Sequence, residues 1–477
     1  MMRCRILLLV AALVAAACAT NPATGRRQLI LMSEADEIQL GRQSDQEIRQ
    51  QMGVYNNADL QRYVDRIGRR LVQSSYRPDL PWTFTVVDEP AINAFALPGG
   101  FIYLTRGILP FLRDESELAG VLGHEIGHVD GRHGVDAYSK QLLAGGGLAI
   151  GSIFVEEIGQ FQGLAGAAFG LMFLRHGREA ELEADQLGVR YAAAQGWDPS
   201  GVPGLLSTLA RLDEASGSSR GVPNWALTHP PAADRVAKVQ EAVAAVQASG
   251  AATNQAEFER LIDGVVVGDS REKGFVRGSD FLHPVLRIGL RFPSGWPVRN
   301  SNDQVTAQQS DAGDVGIVLR IVANPSSSVD QTARASMTRA GFREVSGRRT
   351  SINGLNAYVG TYEATVETTR IASRAAHVQV GDRTYLLAGL ATANQFQRVD
   401  DAFDGTIGSF RELSRSEADR LQPDRLDFHV VRSGETWEAL AKRADGRLRA
   451  STLAIMNGSD PATAPRVGAR IRIVVGG

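Results

Sequence analysis

His124-Glu125-Ile126-Gly127-His128 sets two imidazoles four residues apart with a carboxylate between them. Residues four apart share one face of a helix, so both rings reach a single metal ion while Glu125 lies beside the open coordination position. Zinc suits these donors, because it takes nitrogen and oxygen ligands, has no redox chemistry and tolerates a vacant fourth position. A water held there and deprotonated by the neighbouring carboxylate is a hydrolytic nucleophile. Two histidines leave the set one ligand short. The run Arg178-Glu179-Ala180-Glu181-Leu182-Glu183-Ala184-Asp185 can supply it. Glu181 and Asp185 again share a face. Glu181 is the third ligand, and Asp185 accepts the proton on the far nitrogen of a ligating histidine. Glu179 and Glu183 project elsewhere and are expected in solvent. The pentapeptide alone arises by chance; together with a capped buried helix and a later acidic helix it is far more specific.

These side chains need rigid elements. Asp114-Glu115-Ser116-Glu117 has the form of a capping box, and Leu118, Val121, Leu122, Ile126 and Val129 follow at helical spacing. A largely buried helix is therefore expected from 115 to about 130. The acidic run is rich in helix formers, and Gly196 with Pro199 marks its end. Trp82 to Val87 alternates as a strand. Asn93 to Leu97 and Phe101 to Thr105 flank the turn signal Pro98-Gly99-Gly100. Residues 142–174 are rich in Gly, Ala, Leu and Phe. Glu156, Glu157, Gln160 and Gln162 interrupt them, which argues for a Gly-hinged helical pair rather than a membrane span. His133 is expected to pack or hydrogen-bond at the helix end. His176, His283, His377 and His429 have no partner spacing and read as structural or surface residues.

The residues from about Glu34 to Val243 resemble the HtpX and CAAX-prenyl-endopeptidase family of zinc metallopeptidases, a gluzincin group. The matching pieces are Asn93-Ala94-Phe95-Ala96-Leu97-Pro98-Gly99-Gly100, the HEIGH helix with Arg132-His133, Glu181-Leu182-Glu183-Ala184-Asp185, and Thr228-His229-Pro230 with Arg235. The chain lacks the transmembrane helices of those branches and is closer to a periplasmic, lipoprotein-like one. The resemblance implies one zinc per chain on His124, His128 and Glu181, with Glu125 as general base. It also implies His229 and Arg235 near the developing oxyanion. The residues themselves leave other readings open: Arg235 in a helix salt bridge, His229 as a surface loop residue, or His229 in the open metal position, silencing the site until its loop moves. Substrate binding is expected along a sheet edge at Asn93, Ala94 and Phe95, by backbone addition.

Residues 1–17 read as a signal peptide, with Arg3 and Arg5 ahead of an apolar stretch and Ala15-Ala16-Ala17 before Cys18. This resembles a lipobox, which implies a lipid anchor at Cys18. Ala19, rather than aspartate, favours the periplasmic face of the outer membrane; a soluble periplasmic protein is the alternative. Residues 18–33 read as a flexible tether. The only two cysteines, Cys4 and Cys18, exclude a disulfide framework or a thiolate metal site in the body. The net charge of −2 offers no footprint for nucleic acid.

The 477 residues suggest several domains. The expected class is α+β: a mostly helical zincin-type domain with a small edge sheet at 34–245, a linker with a short helix at 246–280, and an α+β domain at 281–415. Within the last, Leu286–Phe292, Val315–Val322, Ala357–Thr365 and Ala376–Leu390 read as strands, and about 330–341 and 394–410 as helices. A βααβ module closes the chain at 425–477. Its Gly434-Glu435-Thr436-Trp437 turn and Met456-Asn457-Gly458 resemble a LysM domain, which implies peptidoglycan as a partner. The leading expectation is an endopeptidase acting on misfolded or misassembled envelope proteins. The rivals are a peptidoglycan-associated scaffold, a chaperone-like factor with a latent or structural zinc, and a peptidoglycan amidase. Glu125 argues against a structural zinc, which needs no general base.

Overall fold

The computed structural model describes residues 18–143, 176–216, 229, 235–246, 251–310, 315–322, 328–366, 369–444 and 448–477. The signal-peptide segment and the apolar stretch at 142–174 lie outside the described residues, except for the helix end at 142–143. The described residues divide into two compact units, one reaching to Gly268 and taking in Asp424–Gly477, the other Asp269–Pro423. The boundary at Gly268 falls inside the segment read as a linker. Among the described residues no helix is long and apolar enough to cross a membrane.

The first unit begins with a hairpin, β1 (Cys18–Thr20) against β2 (Arg27–Leu29), and two helices, α1 (Glu34–Met52) and α2 (Ala58–Val72). A three-stranded sheet follows, β3 (Thr83–Val87), β4 (Ala94–Leu97) and β5 (Phe101–Thr105), in the order β3-β5-β4. β3 runs parallel to β5 and β4 antiparallel to it, with Phe95 opposite Tyr103. β4 is thus the edge expected from the turn signal. The helices α3 (Glu115–Asp130), α4 (His133–Leu143), α5 (Arg178–Ala194), α6 (Gly201–Ser216), α7 (Arg235–Ala245) and α8 (Gln255–Ile262) complete this part of the unit.

Every residue of α3 is buried. Its apolar residues pack all round, as in a helix enclosed by its neighbours. The capping differs in one detail from the expectation. Asp114 caps the helix by accepting from the Ser116 and Glu117 backbone N–H groups. The Glu117 carboxylate does not return to Asp114 but takes the Arg113 backbone N–H and Nε. A cationic side chain next to the cap gives that buried carboxylate a counter-charge, which a neutral N–H does not.

The tether reading is corrected. Asn21 is 1% exposed, and its Oδ1 accepts from Ala23 and Thr24 N–H. Gln28 donates to the Gly131 carbonyl at the end of α3, and the Leu29 and Leu31 backbones donate to Asp136 and Ser139 on α4. An asparagine that satisfies a turn and a helix end together pins the segment, where composition alone suggested a loose linker.

The unit closes with β6 (Val266–Val267), β7 (Asp424–Val430), α9 (Trp437–Ala441), α10 (Ala450–Met456) and β8 (Arg470–Val475). β7 pairs with β8 and with β6. The βααβ order read from the sequence is the order observed.

The second unit is α+β. A seven-stranded antiparallel sheet runs Val298–Asn300, Gln304–Gln308, Gly316–Val322, Arg383–Thr392, Thr369–Val380, Leu355–Val366 and Arg343–Ile352, with helices Val329–Arg339 and Phe396–Ser409. A smaller four-stranded sheet accompanies it. The stretch 376–390 is two strands, not one. Gly381 adopts φ +59 and turns the chain between them, a conformation open to glycine. Arg343–Ile352, almost wholly exposed, carries no apolar alternation and was not expected as a strand.

Candidate metal centre

α3 and α5 cross with almost nothing between them. A Cβ on Gly127 would lie 3.0 Å from Ala184 Cα, and one on Gly188 3.0 Å from His124 N. Glycines at this seam let the two backbones approach until side chains from both helices meet. His124, His128, Glu181 and His229 converge there, all buried, with one ligand atom from each lying within 4.8 Å of the others. His124 Nε2 is 3.0 Å from His128 Nε2 and 3.2 Å from His229 Nδ1. Glu181 Oε1 is 3.1 Å from His229 Nδ1 and 3.5 Å from His128 Nε2.

Around this set lie its supports. Asp185 Oδ1 accepts from His124 Nδ1 at 2.9 Å, the contact expected for an acceptor behind a ligating histidine. Arg235, at the start of α7, reaches Asp185 through Nε at 2.8 Å and another nitrogen at 2.9 Å, and Glu181 through Nη1 at 2.9 Å. The salt bridge that the residues left open for Arg235 is present: its guanidinium is turned onto two buried carboxylates. Glu125 Oε1 is buried without a hydrogen-bond partner among the described residues, 3.7 Å from His229 Nε2.

The electrostatics separate the roles. Burial raises the Glu125 carboxyl, and the opposing pull of His229 and His124 does not cancel it. Burial also acts to raise Glu181, but His229, His124 and Arg235 outweigh it and hold the carboxyl down to about 2. Asp185 is likewise lowered against burial by His124 and Arg235. Burial, with the other imidazoles, drives His128 well below its ordinary value and keeps it neutral.

The donor set fits a cation. With Nδ1 of His124 donating to Asp185, its Nε2 carries a bare lone pair. His128 Nε2, 3.0 Å away, faces the same point. Two neutral imidazole nitrogens and a carboxylate aimed at one another are reconciled by a metal ion between them.

Three residues near the centre, His176, Glu183 and Asn21, were not anticipated there, and His133 makes the helix-end contact expected of it. His176 stacks on His128 with ring centroids 4.0 Å apart, and burial pushes it down to about 3; it had read as a structural or surface residue. Glu183, expected in solvent, has a side chain only 10% exposed and lies 3.4 Å from His133 Nε2. Asn21 Nδ2 donates to the same carboxylate at 2.6 Å. His133 Nδ1 sits 3.0 Å from His128 Nδ1. The adjacency of Arg132-His133 to the helix was the one signal available. Glu179, as expected, is exposed, in a surface pair with Arg26. Asn93, Ala94 and Phe95 lie at the start of the edge strand; the Asn93 Oδ1 is buried without a partner among the described residues, and the Phe95 and Tyr103 rings stack at 4.8 Å. Of Cys18, the backbone pairs with Leu29.

Residues 58–243 match the model of peptidase family M48. The chain is 33% identical over 227 residues to the beta-barrel assembly-enhancing protease of Escherichia coli strain K12, covering 46% of each chain. It is 34% identical over 181 residues to the mitochondrial metalloendopeptidase OMA1 of Schizosaccharomyces pombe, covering 38% of this chain and 52% of the relative. The chain thus spans about half the length of the curated relatives it matches. The segment that matches this family model also carries the buried His-His-Glu-His cluster.

Proposed function

We propose that this chain is a zinc-dependent endopeptidase of the bacterial cell envelope, with His124, His128 and Glu181 as ligands and Glu125 as general base. The observation that carries the reading is the convergence of those ligand atoms from α3 and α5 beside the buried Glu125 carboxylate, whose Oε1 lacks a hydrogen-bond partner among the described residues. When bound, zinc supplies the Lewis acidity that polarises a scissile carbonyl and acidifies a water. Glu125 takes the proton of the attacking water and delivers it to the departing amide nitrogen. Burial raises its carboxyl, the direction that favours handing the proton on to the leaving nitrogen. Asp185 fixes the His124 tautomer, and Arg235 keeps Asp185 and Glu181 ionised.

The substrate is an extended polypeptide added to β4, which among the described residues pairs with β5 alone. The buried Asn93 Oδ1, without a partner among the described residues, would accept a substrate N–H. Backbone recognition tolerates many sequences, which suits removal of misassembled envelope proteins; the name of the beta-barrel assembly-enhancing relatives supports the same class. Cys18 carries the lipid that holds the chain to the outer membrane. The LysM-like module at 425–477 takes N-acetylglucosamine units of peptidoglycan.

His229 favours a second feature. As the fourth member of the cluster, its imidazole would take the position that a water needs on the metal and so keep the centre closed at rest.

The test is zinc content measured together with casein cleavage. The wild type should hold about one zinc per chain. Glu125→Gln should keep the metal and lose cleavage by roughly 10²- to 10⁴-fold. Cleavage by Glu125→Gln at the wild-type rate removes the mechanism. His229→Ala should raise cleavage if the ring closes the centre, and lower it if the ring serves the oxyanion.

A further inference from the structure

The two histidines of α3 differ in what stands behind them. His124 has a carboxylate, Asp185, at its Nδ1. At that atom His128 has, among the described residues, no carboxylate but the Nδ1 of another imidazole, His133, at 3.0 Å. The proton positions follow from the geometry. With Nε2 of His128 turned to the centre, its proton sits on Nδ1 and is donated to His133. His133 accepts at Nδ1, so its own proton sits on Nε2, which lies 3.4 Å from Glu183 Oε1. The same oxygen accepts from Asn21 Nδ2 at 2.6 Å. These contacts lead from the N-terminal hairpin to His128.

The turn that makes this possible is costly. Arg132 adopts φ +52, a left-handed conformation unfavourable to a side chain. It is held there by its guanidinium on Glu37. A Cβ on Gly131 would collide with the His133 ring. The chain reverses after α3 in the one way that folds His133 back beneath His128.

We infer that His133, Glu183 and Asn21 are positioning residues for the metal: a histidine-carboxylate relay that fixes the tautomer and angle of His128, anchored by the hairpin following Cys18. The inference rests on the metal reading above. Its asymmetry has a consequence. A neutral imidazole takes the His128 proton less strongly than a carboxylate takes that of His124, so His128 depends on Glu183 to make His133 a good acceptor. Asn21 orients Glu183 from the hairpin, and thereby ties the state of the N-terminal segment to the metal.

Zinc affinity of the full chain, measured by competition with a chromophoric chelator, tests this apart from cleavage. His133→Leu and Glu183→Ala should each weaken zinc binding by about 10- to 100-fold. Asn21→Ala should weaken it less and in the same direction. His133→Asn, whose Oδ1 takes the place of Nδ1, should recover most of the affinity lost in His133→Leu. The thermal midpoint of the EDTA-treated proteins reports folding without the metal. A role in folding alone would lower that midpoint in parallel with zinc binding and give no rescue by asparagine, and either result overturns the relay. So does unchanged affinity in Glu183→Ala, the variant that leaves the helix turn intact. A wild type that binds no zinc removes the metal reading itself, whereas one that binds zinc without cleaving leaves the relay to be judged on affinity.

Discussion

Arg235 neutralises buried charge at the centre, since Asp185 and Glu181 both lean on it. The guanidinium is 4% exposed, so the pairs are made in a medium where an unmatched charge is expensive. Arg235→Leu should destabilise the chain by about 3 to 5 kcal/mol, read from urea unfolding of metal-free protein. It should also raise the Asp185 carboxyl, which loses one of the two partners that hold it down. A variant as stable as the wild type would show that the carboxylates find other partners. By contrast the Arg26 pair with Glu179 is exposed on both sides, and its loss should cost almost nothing.

At the level of elements, the distance between ligands is set by the α3–α5 seam. Gly123, Gly127 and Gly188 leave no room for a side chain there: a Cβ on Gly123 would lie 3.1 Å from Gly188 Cα, and one on Gly127 3.1 Å from Ala184 O. Both neighbours are backbone and cannot turn aside. Gly127→Val should push α5 outward, carry Glu181 away from His128 and cost about 1 to 3 kcal/mol through overpacking. Zinc content and thermal midpoint should fall together. Gly134→Ala on α4, with no atom within 4 Å of the added carbon, should leave both unchanged or slightly raise the midpoint. If Gly127→Val holds zinc as tightly as the wild type, the seam does not set the ligand geometry.

At the scale of the molecule, the first unit is assembled from segments far apart in sequence. Trp437, Leu440, Leu453, Ile455 and Ile473 of the closing module share one apolar core with Ile108, Leu112, Leu205 and Phe258. Arg472 donates to the Arg113 carbonyl just before α3, and Arg470 pairs with Glu259 on α8. Ending the chain at Pro423 would leave that core open. The truncated protein should have a lower thermal midpoint than the full chain and expose apolar surface to a hydrophobic dye; equal stability would show the module to be an independent appendage.

What the sequence determined is what local spacing determines. Residues four apart on a helix must share a face, so His124 with His128 and Glu181 with Asp185 were legible, as were α3, α5, the edge hairpin and the βααβ order of the last module. The contacts that only the tertiary structure decided lie between segments with no spacing in common. Asn21 and Glu183 stand 162 residues apart, and His124 and His229 105; no period links them. Glu183 looked solvated because an acidic helix is usually a surface, and it was buried by a hairpin that composition described as a tether. Arg235 read two ways because a charge on a helix does not reveal which carboxylates the next element brings beneath it. A side chain's neighbours on its own helix follow from 3.6 residues per turn, and its neighbours on other helices follow only from how closely the backbones are allowed to pack.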